Sequence, residues 1–267
     1  MSDSYLLDVG EDAADRLTLV QAIYGQTSQR GLSAGAPLAG LRVLELACGT
    51  GSMTRWLAEQ VGPSGSVTGI DASDAQLSVA AERCRDLPNV RFLRMDAADT
   101  DLPPSSFDLV YARLLLMHVP EPLRVLLHAH ELLAPGGVLV SEEAAVDSTF
   151  TDPPVPEQGE LHALANQMAR ERGCDYNVAR RLGSLVRAAG FTVHGVSAHQ
   201  PVAVRGAAKR LEVASFGEAL QRWRTASDET RAAGERVLAA LQRAVDDEET
   251  TYGLSMMMQV RGEKARA

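Results

Sequence analysis

Val43-Leu44-Glu45-Leu46-Ala47-Cys48-Gly49-Thr50-Gly51-Ser52-Met53 is the stretch whose reading decides the fold. It begins as a buried strand with one acidic residue near its end, passes through a glycine-bearing turn and enters an amphipathic run, Ser52 to Gln60. The order is strand, tight turn, helix. A dinucleotide fold places three spaced glycines in such a turn, the third for close packing of helix on strand. Here the matching positions are Ala47, Gly49 and Ser52, so the first glycine is missing and the third position is not glycine.

Working outward, short apolar runs alternate with longer amphipathic ones from Leu41 onward. Arg42–Leu46, Ser66–Ile70, Val90–Met95, Phe107–Tyr111 and Gly137–Val140 read as strands, and Ser52–Gln60, Asp74–Arg85 and Pro122–Leu133 as helices. Such alternation argues for βαβ units and a parallel sheet. The second strand ends in Asp71, placed where a carboxylate takes both hydroxyls of a ribose. Met95-Asp96-Ala97 and Phe107–Ala112 mark the carboxyl ends of the next two strands, the edge where open α/β sheets bind ligands. Before this core lies one helical candidate, Asp12 to Arg30. After Glu143 come a proline-rich connector (Ser148–Pro156) and helices at Glu157–Arg172 and Val178–Ala189. A strand over Phe191–Ala198, a charged helical stretch over 207–245 and a strand over Leu254–Val260 complete the chain.

The 267 residues are 45% apolar and 23% charged, with 26 Lys plus Arg against 35 Asp plus Glu and a net charge of −9. That balance repels a phosphate backbone, so nucleic acid is not the expected partner. No run approaches the ~18–20 apolar residues of a membrane span. The start has no basic region followed by an apolar one, so no secretory signal is expected. The three cysteines, Cys48, Cys84 and Cys174, lack metal-ligand spacing, and no metal site is expected. These features read as a cytoplasmic protein without membrane attachment.

The segments Val43–Gly51, Gly69-Ile-Asp71, Arg94-Met-Asp-Ala97, Phe107–Ala112 and Leu133-Ala-Pro-Gly-Gly137 together resemble the ordered motif set of class I S-adenosylmethionine-dependent methyltransferases. The likeness is to the bacterial small-molecule branch similar to quinone-biosynthesis methyltransferases. It covers about residues 41–143, more weakly Tyr5–Asp8 and Asp175–Gly190. It implies an α/β, Rossmann-like fold: a seven-stranded, mostly parallel sheet of order 3-2-1-4-5-7-6, the last strand antiparallel, with helical cap insertions at 148–189 and 206–249. It divides one compact domain into an N-terminal helical lid (1–40), an S-adenosylmethionine-binding core (41–147), a cap or substrate insertion with its helix (148–190), and C-terminal strands with a helical insertion (191–267). Expected partners are a small-molecule acceptor and, for the protein itself, a second copy in a homodimer.

The resemblance also implies roles. Gly49 and Gly51 let the backbone approach the aminoacyl end of S-adenosyl-L-methionine, whose product is S-adenosyl-L-homocysteine. Glu45 and the carbonyls near Ala47 and Ala112 gather around its ammonium. Asp71 holds the ribose, with Ala72 packing on the adenine and Gln76 nearby. Asp96 accepts from the adenine amino group while the Ala97 amide donates to the ring. Arg113 reads either as a partner of the cofactor carboxylate or as a surface arginine. Tyr24 and Tyr5 read either as lid aromatics near the sulfonium or as packing residues.

A hydroxyl or ammonium acceptor needs a base, and His118, after the fourth strand, is the candidate; its other reading is a packing residue. Glu142 and Glu143 stand just past the fifth strand, either orienting substrate or closing a polar strand end. His162 lies in the cap insertion with substrate contact as one reading. Two other functions share the strand, loop and ribose acid: a nicotinamide-dependent oxidoreductase, and a non-catalytic S-adenosylmethionine-binding protein.

Overall fold

The computed structural model describes residues 7, 9–10, 14–35 and 37–266. Tyr5, and with it most of the likeness over Tyr5–Asp8, lies outside the described residues.

The strand-turn-helix reading holds. Strand β1 (Arg42–Leu46) is flanked by β2 (Ser66–Asp71) and β4 (Phe107–Arg113), both parallel to it, with Glu45 opposite Gly69 and Tyr111. Helix α2 (Ser52–Val61) follows β1, α3 (Asp74–Arg83) follows β2, and β3 (Val90–Arg94) pairs with β2 as one edge of the sheet. Beyond β4 lie α4 (Pro122–Leu132) and β5 (Leu133–Ala145). Alternate side chains point to opposite faces, as strand geometry demands. Val43, Val67, Leu109 and Val140 pack with Leu57 and Val61 of α2, whereas Leu44, Ile70, Val110 and Leu139 pack with Leu126 and Ala129 of α4. Both faces are covered, which is why the strands read as nearly continuous apolar runs.

The second half departs from its reading. Strand β5 runs to Ala145 rather than ending near Val140, because an antiparallel partner from the end of the chain continues its ladder, pairing Met256 with Ala145 and Glu263 with Val138. The proline-rich connector contains a short strand, β6 (Phe150–Asp152). Helix α5 (Glu157–Glu171) follows, and the next helical reading divides into a 3₁₀ turn at Val178–Arg181 and α6 (Leu182–Ala188). Then come β7 (Thr192–His199) and β8 (Val202–Ala203). The charged stretch is two helices, α7 (Leu211–Arg222) and α8 (Asp228–Asp246), the second capped by the Ser227 side chain accepting from the Thr230 amide at 3.1 Å. Strands β9 (Thr251–Gly253) and β10 (Met256–Glu263) end the chain.

The main sheet has the order β3-β2-β1-β4-β5-β10-β7. Counting only its own strands, this is 3-2-1-4-5-7-6, with β10 antiparallel to both neighbours. Strands β6, β9 and β8 form a second, antiparallel sheet that the sequence did not foreshadow. Helix α1 (Ala14–Ser33) packs against α7, α2 and β10. The strand order turns back between β1 and β4, so a crevice opens at their carboxyl ends.

Candidate active site

A cavity of about 910 Å³ opens at that edge. Its near wall is the loop after β1. Ala47, Gly49 and Gly51 all take left-handed backbone conformations, with φ of 52°, 54° and 75°. Alanine pays about 1–2 kcal/mol for that conformation, and Ala47 holds it with its side chain on the cavity wall. At Gly49 a Cβ would meet nothing within 4 Å, so this glycine leaves open space on the cavity side. At Gly51 a Cβ would meet the Ala80 Cβ at 2.9 Å. Gly51 is not among the residues lining the cavity, and its lack of a side chain lets α3 press against the turn. From α3, Arg83 Nη1 donates to the Thr50 carbonyl at 2.8 Å and to the Thr50 hydroxyl at 3.0 Å, clamping the loop from behind.

Asp71 closes the loop from the other side. Its Oδ2 accepts from the Gly49 amide at 3.0 Å and its Oδ1 from the Ser73 amide at 2.9 Å. Burial nonetheless holds its carboxyl above the usual range, the backbone donors opposing that shift. Ala72 lines the wall beside it. Gln76 is buried there, its Oε1 without a hydrogen-bond partner on a wall of the cavity. Asp96 and Ala97 complete this end; Asp96 is exposed and accepts from the Ala98 amide at 2.8 Å.

Glu45 is buried at the cavity's edge and accepts from the Thr54 hydroxyl at 2.5 Å. Burial pushes its carboxyl up to about 7, with Thr54 and Arg113 opposing. Arg113 is no free surface cation: its Nη2 donates to Gln21 Oε1 at 2.9 Å and its Nη1 to the Ser28 hydroxyl at 3.2 Å, tying β4 to α1. Tyr24, also on α1, lines the cavity and donates to the Ser255 carbonyl at 2.9 Å.

Four further expected residues, besides Gly51, are not brought to the cavity. Ala112 is buried within β4 and absent from the lining. Glu142 and Glu143 are inside the lengthened β5 rather than past its end. Glu142 faces a separate network, accepting from Ser28 at 2.5 Å and Tyr111 at 3.3 Å, and from Gln259. Glu143 accepts from the amides of Leu115, Leu116 and Met117 at 3.0, 2.8 and 3.2 Å, fixing the turn that follows β4. Burial pushes its carboxyl up to about 8, the three amides opposing. Both are structural carboxylates. His162 shares a 2.7 Å hydrogen bond with the Thr149 hydroxyl, outside the cavity.

His118 does reach the cavity, from a 3₁₀ turn at Leu116–His118, with its ring edge-on to Tyr176 at 5.7 Å between centroids. Burial, with Arg172 and Arg16 nearby, pushes it down to about 3. A neutral imidazole that weak takes few protons near pH 7, which runs against the general-base reading.

The far wall is apolar: Leu161, Ala165 and Met168 of α5, Phe216 and Ala219 of α7, and Met257. It also holds Glu212 of α7, whose Oε1 accepts from the Ser255 amide at 2.9 Å. Burial holds that carboxyl above the usual range. Sequence reading missed Glu212, Arg83 and Ser255. The spacing Leu211, Ser215, Phe216, Ala219 is the inward stripe of an amphipathic helix and was the available signal for α7.

Residues 43–137 match the family model described as a methyltransferase domain. Over 125 residues the chain is 35% identical to the demethylmenaquinone methyltransferase of Staphylococcus aureus, covering 47% of this chain and 49% of that protein. The chain thus spans about half the length of the curated relatives it matches. Among solved structures, the fold is similar to the [4+2]-cyclase SpnF, with a TM-score of 0.53 and 21% identity over 86% of this chain and 77% of that one. It is also similar to a phosphoethanolamine N-methyltransferase of Haemonchus contortus bound to S-adenosylhomocysteine, with a TM-score of 0.54 and 17% identity over 95% of this chain and 53% of that one.

Proposed function

We propose, from the premise that residues 43–137 are a class I S-adenosylmethionine-dependent methyltransferase domain, that this chain methylates a small-molecule acceptor held between that domain and its own α1, α5 and α7. The observation that carries the reading is that one cavity spans both ends of the site. It joins a polar end, at Gly49, Asp71 and Gln76, to an apolar end beneath α5 and α7.

The polar end fits the donor. Asp71 keeps lone pairs on both fixed oxygens for a ribose, the unpartnered Gln76 Oε1 offers an acceptor to a nucleoside, and Gly49 leaves room for a backbone approach. Glu45 would take the ammonium of the amino-acid end, Ala72 and Ala97 would pack and hydrogen-bond the adenine, and Asp96 would accept from its amino group. When bound, the donor supplies an activated methyl group on a sulfonium. The chain's own part is then to exclude water and to orient the acceptor. Tyr24 and α1 would act as the lid, and α5 and α7 as the cap, with His118 as a neutral wall of the acceptor end.

Because the same fold also carries a cyclase, turnover has to be measured as well as binding. The first test is thermal unfolding with S-adenosylmethionine, S-adenosylhomocysteine and NAD in parallel. A ligand at ~100 times its dissociation constant stabilises by about 2.7 kcal/mol, which moves the midpoint roughly 5 °C for a chain of this size. Shifts with the first two ligands alone are expected, and a shift with NAD alone overturns the reading. Transfer of labelled methyl is then tested first on demethylmenaquinone, the acceptor in the relative's name, in its reduced form.

A further inference from the structure

The apolar end of the cavity contains one carboxylate that the donor's expected contacts leave unused. Glu212 lies in the first turn of α7, half-buried on the cavity wall, and Ser255 is its only hydrogen-bond partner among the described residues. No salt bridge reaches it among the described residues; the cavity it lines is walled there by Leu161, Met168, Phe216 and Met257, with Arg16 and Arg222 also on the lining. An acceptor oxygen desolvated without a donor costs about 1–3 kcal/mol. Ligand sites of this kind are mostly apolar with a few placed polar groups that fix orientation.

We propose that Glu212 selects the methyl acceptor: an uncharged, mainly apolar molecule carrying a hydroxyl that donates to the Glu212 carboxylate. The inference rests on the methyl-transfer reading above. The alternatives fit the walls less well. A carboxylate- or phosphate-bearing acceptor would bring a second negative charge against Glu212, and Arg16, also on the lining, is already paired with Glu218 at 2.9 Å. A fully apolar one would leave the Glu212 oxygen desolvated and unpaired. Ser255 fixes one oxygen of the carboxylate through a backbone amide, so the direction of the other is set before any ligand arrives.

The test is calorimetry on the full chain, with and without S-adenosylhomocysteine, using three probes of one shape: 2-naphthol, 2-methoxynaphthalene and 2-naphthoate. The expected result is that 2-naphthol binds at least about tenfold more tightly than the other two, the value of a hydrogen bond to a charged group. Glu212→Gln, whose amide oxygen still accepts from Ser255, should cost 2-naphthol about tenfold and leave 2-methoxynaphthalene and S-adenosylhomocysteine unchanged. Glu212→Asp, which retracts the carboxylate by one methylene, should fall between the two and serves if the glutamine variant does not fold. The proposal is overturned if 2-naphthol does not bind, if 2-naphthoate binds best, or if the variants bind 2-naphthol like the parent. Failure of S-adenosylhomocysteine to bind the parent protein overturns the methyl-transfer reading instead, and the probe comparison without it still decides the role of Glu212.

Discussion

The two ends of the cavity are built by different means. At the polar end the work is done by backbone: Gly49 and Ser73 amides hold Asp71, and the loop takes its shape from three left-handed residues within five positions. At the apolar end the walls are side chains from α1, the turn after β4, α5, α7 and β10, brought together from most of the chain's length. A site made of backbone at strand ends tolerates little change in position, whereas a site made of side chains can be respecified one residue at a time. On the proposed reading, the donor end has a geometry set by backbone and the acceptor end one set by side chains.

Three substitutions or conditions would break or sharpen that contrast, judged by affinity for S-adenosylhomocysteine. Asp71→Ala should have the largest effect. It strips the acceptor from two backbone amides and, on the proposed reading, removes the two charge-assisted hydrogen bonds to the ribose, so calorimetry should record a loss of about a hundredfold or more. An affinity within a few-fold of the parent would mean that the polar end does not hold the nucleoside.

That contrast also explains what was legible in the sequence. The strand, turn and helix at 43–61 announce themselves locally, and Asp71, Asp96 and Glu45 could be placed because strand ends are visible as the ends of apolar runs. Glu142 and Glu143 could not. Their fate depends on β10, more than a hundred residues away in sequence, extending the ladder across them. His162 lies off the cavity and Glu212 on it for a related reason: which face of α5 or α7 turns inward is settled by packing against partners that no local pattern names. Gly51 was visible as a glycine, but only the position of Ala80 reveals that it serves packing.

The second effect is intermediate and concerns pH. With its carboxyl pushed up to about 7, Glu45 is mostly protonated at pH 6, and a ligand ammonium beside it favours the ionised form. Affinity should therefore rise about tenfold between pH 6 and pH 8, with proton release detectable in buffers of different ionisation enthalpy near pH 6.5. Glu45→Gln should flatten the profile. A flat profile in the parent would remove Glu45 from the ammonium site.

The smallest effect should come from the other end. Met168→Ala removes a buried cap side chain and should lower stability by about 2 kcal/mol or more in denaturant unfolding. Its affinity for S-adenosylhomocysteine should stay within about twofold, below the roughly tenfold that corresponds to 1.4 kcal/mol. A large loss of affinity would show that the two ends are not separable.

Residues 254–256 carry a consequence for how such a chamber can diverge. The Ser255 carbonyl takes the Tyr24 hydroxyl, its amide goes to Glu212, and the neighbouring Met256 amide donates to the Ser148 hydroxyl at 2.8 Å. Helices α1 and α7 are therefore joined through main-chain atoms, which every residue type except proline can supply at position 255. The Ser255 side chain can change without removing these bonds, whereas Leu254 beside it is fully buried in the core and cannot. Variation at position 255 would look like neutrality even though its main chain carries the link.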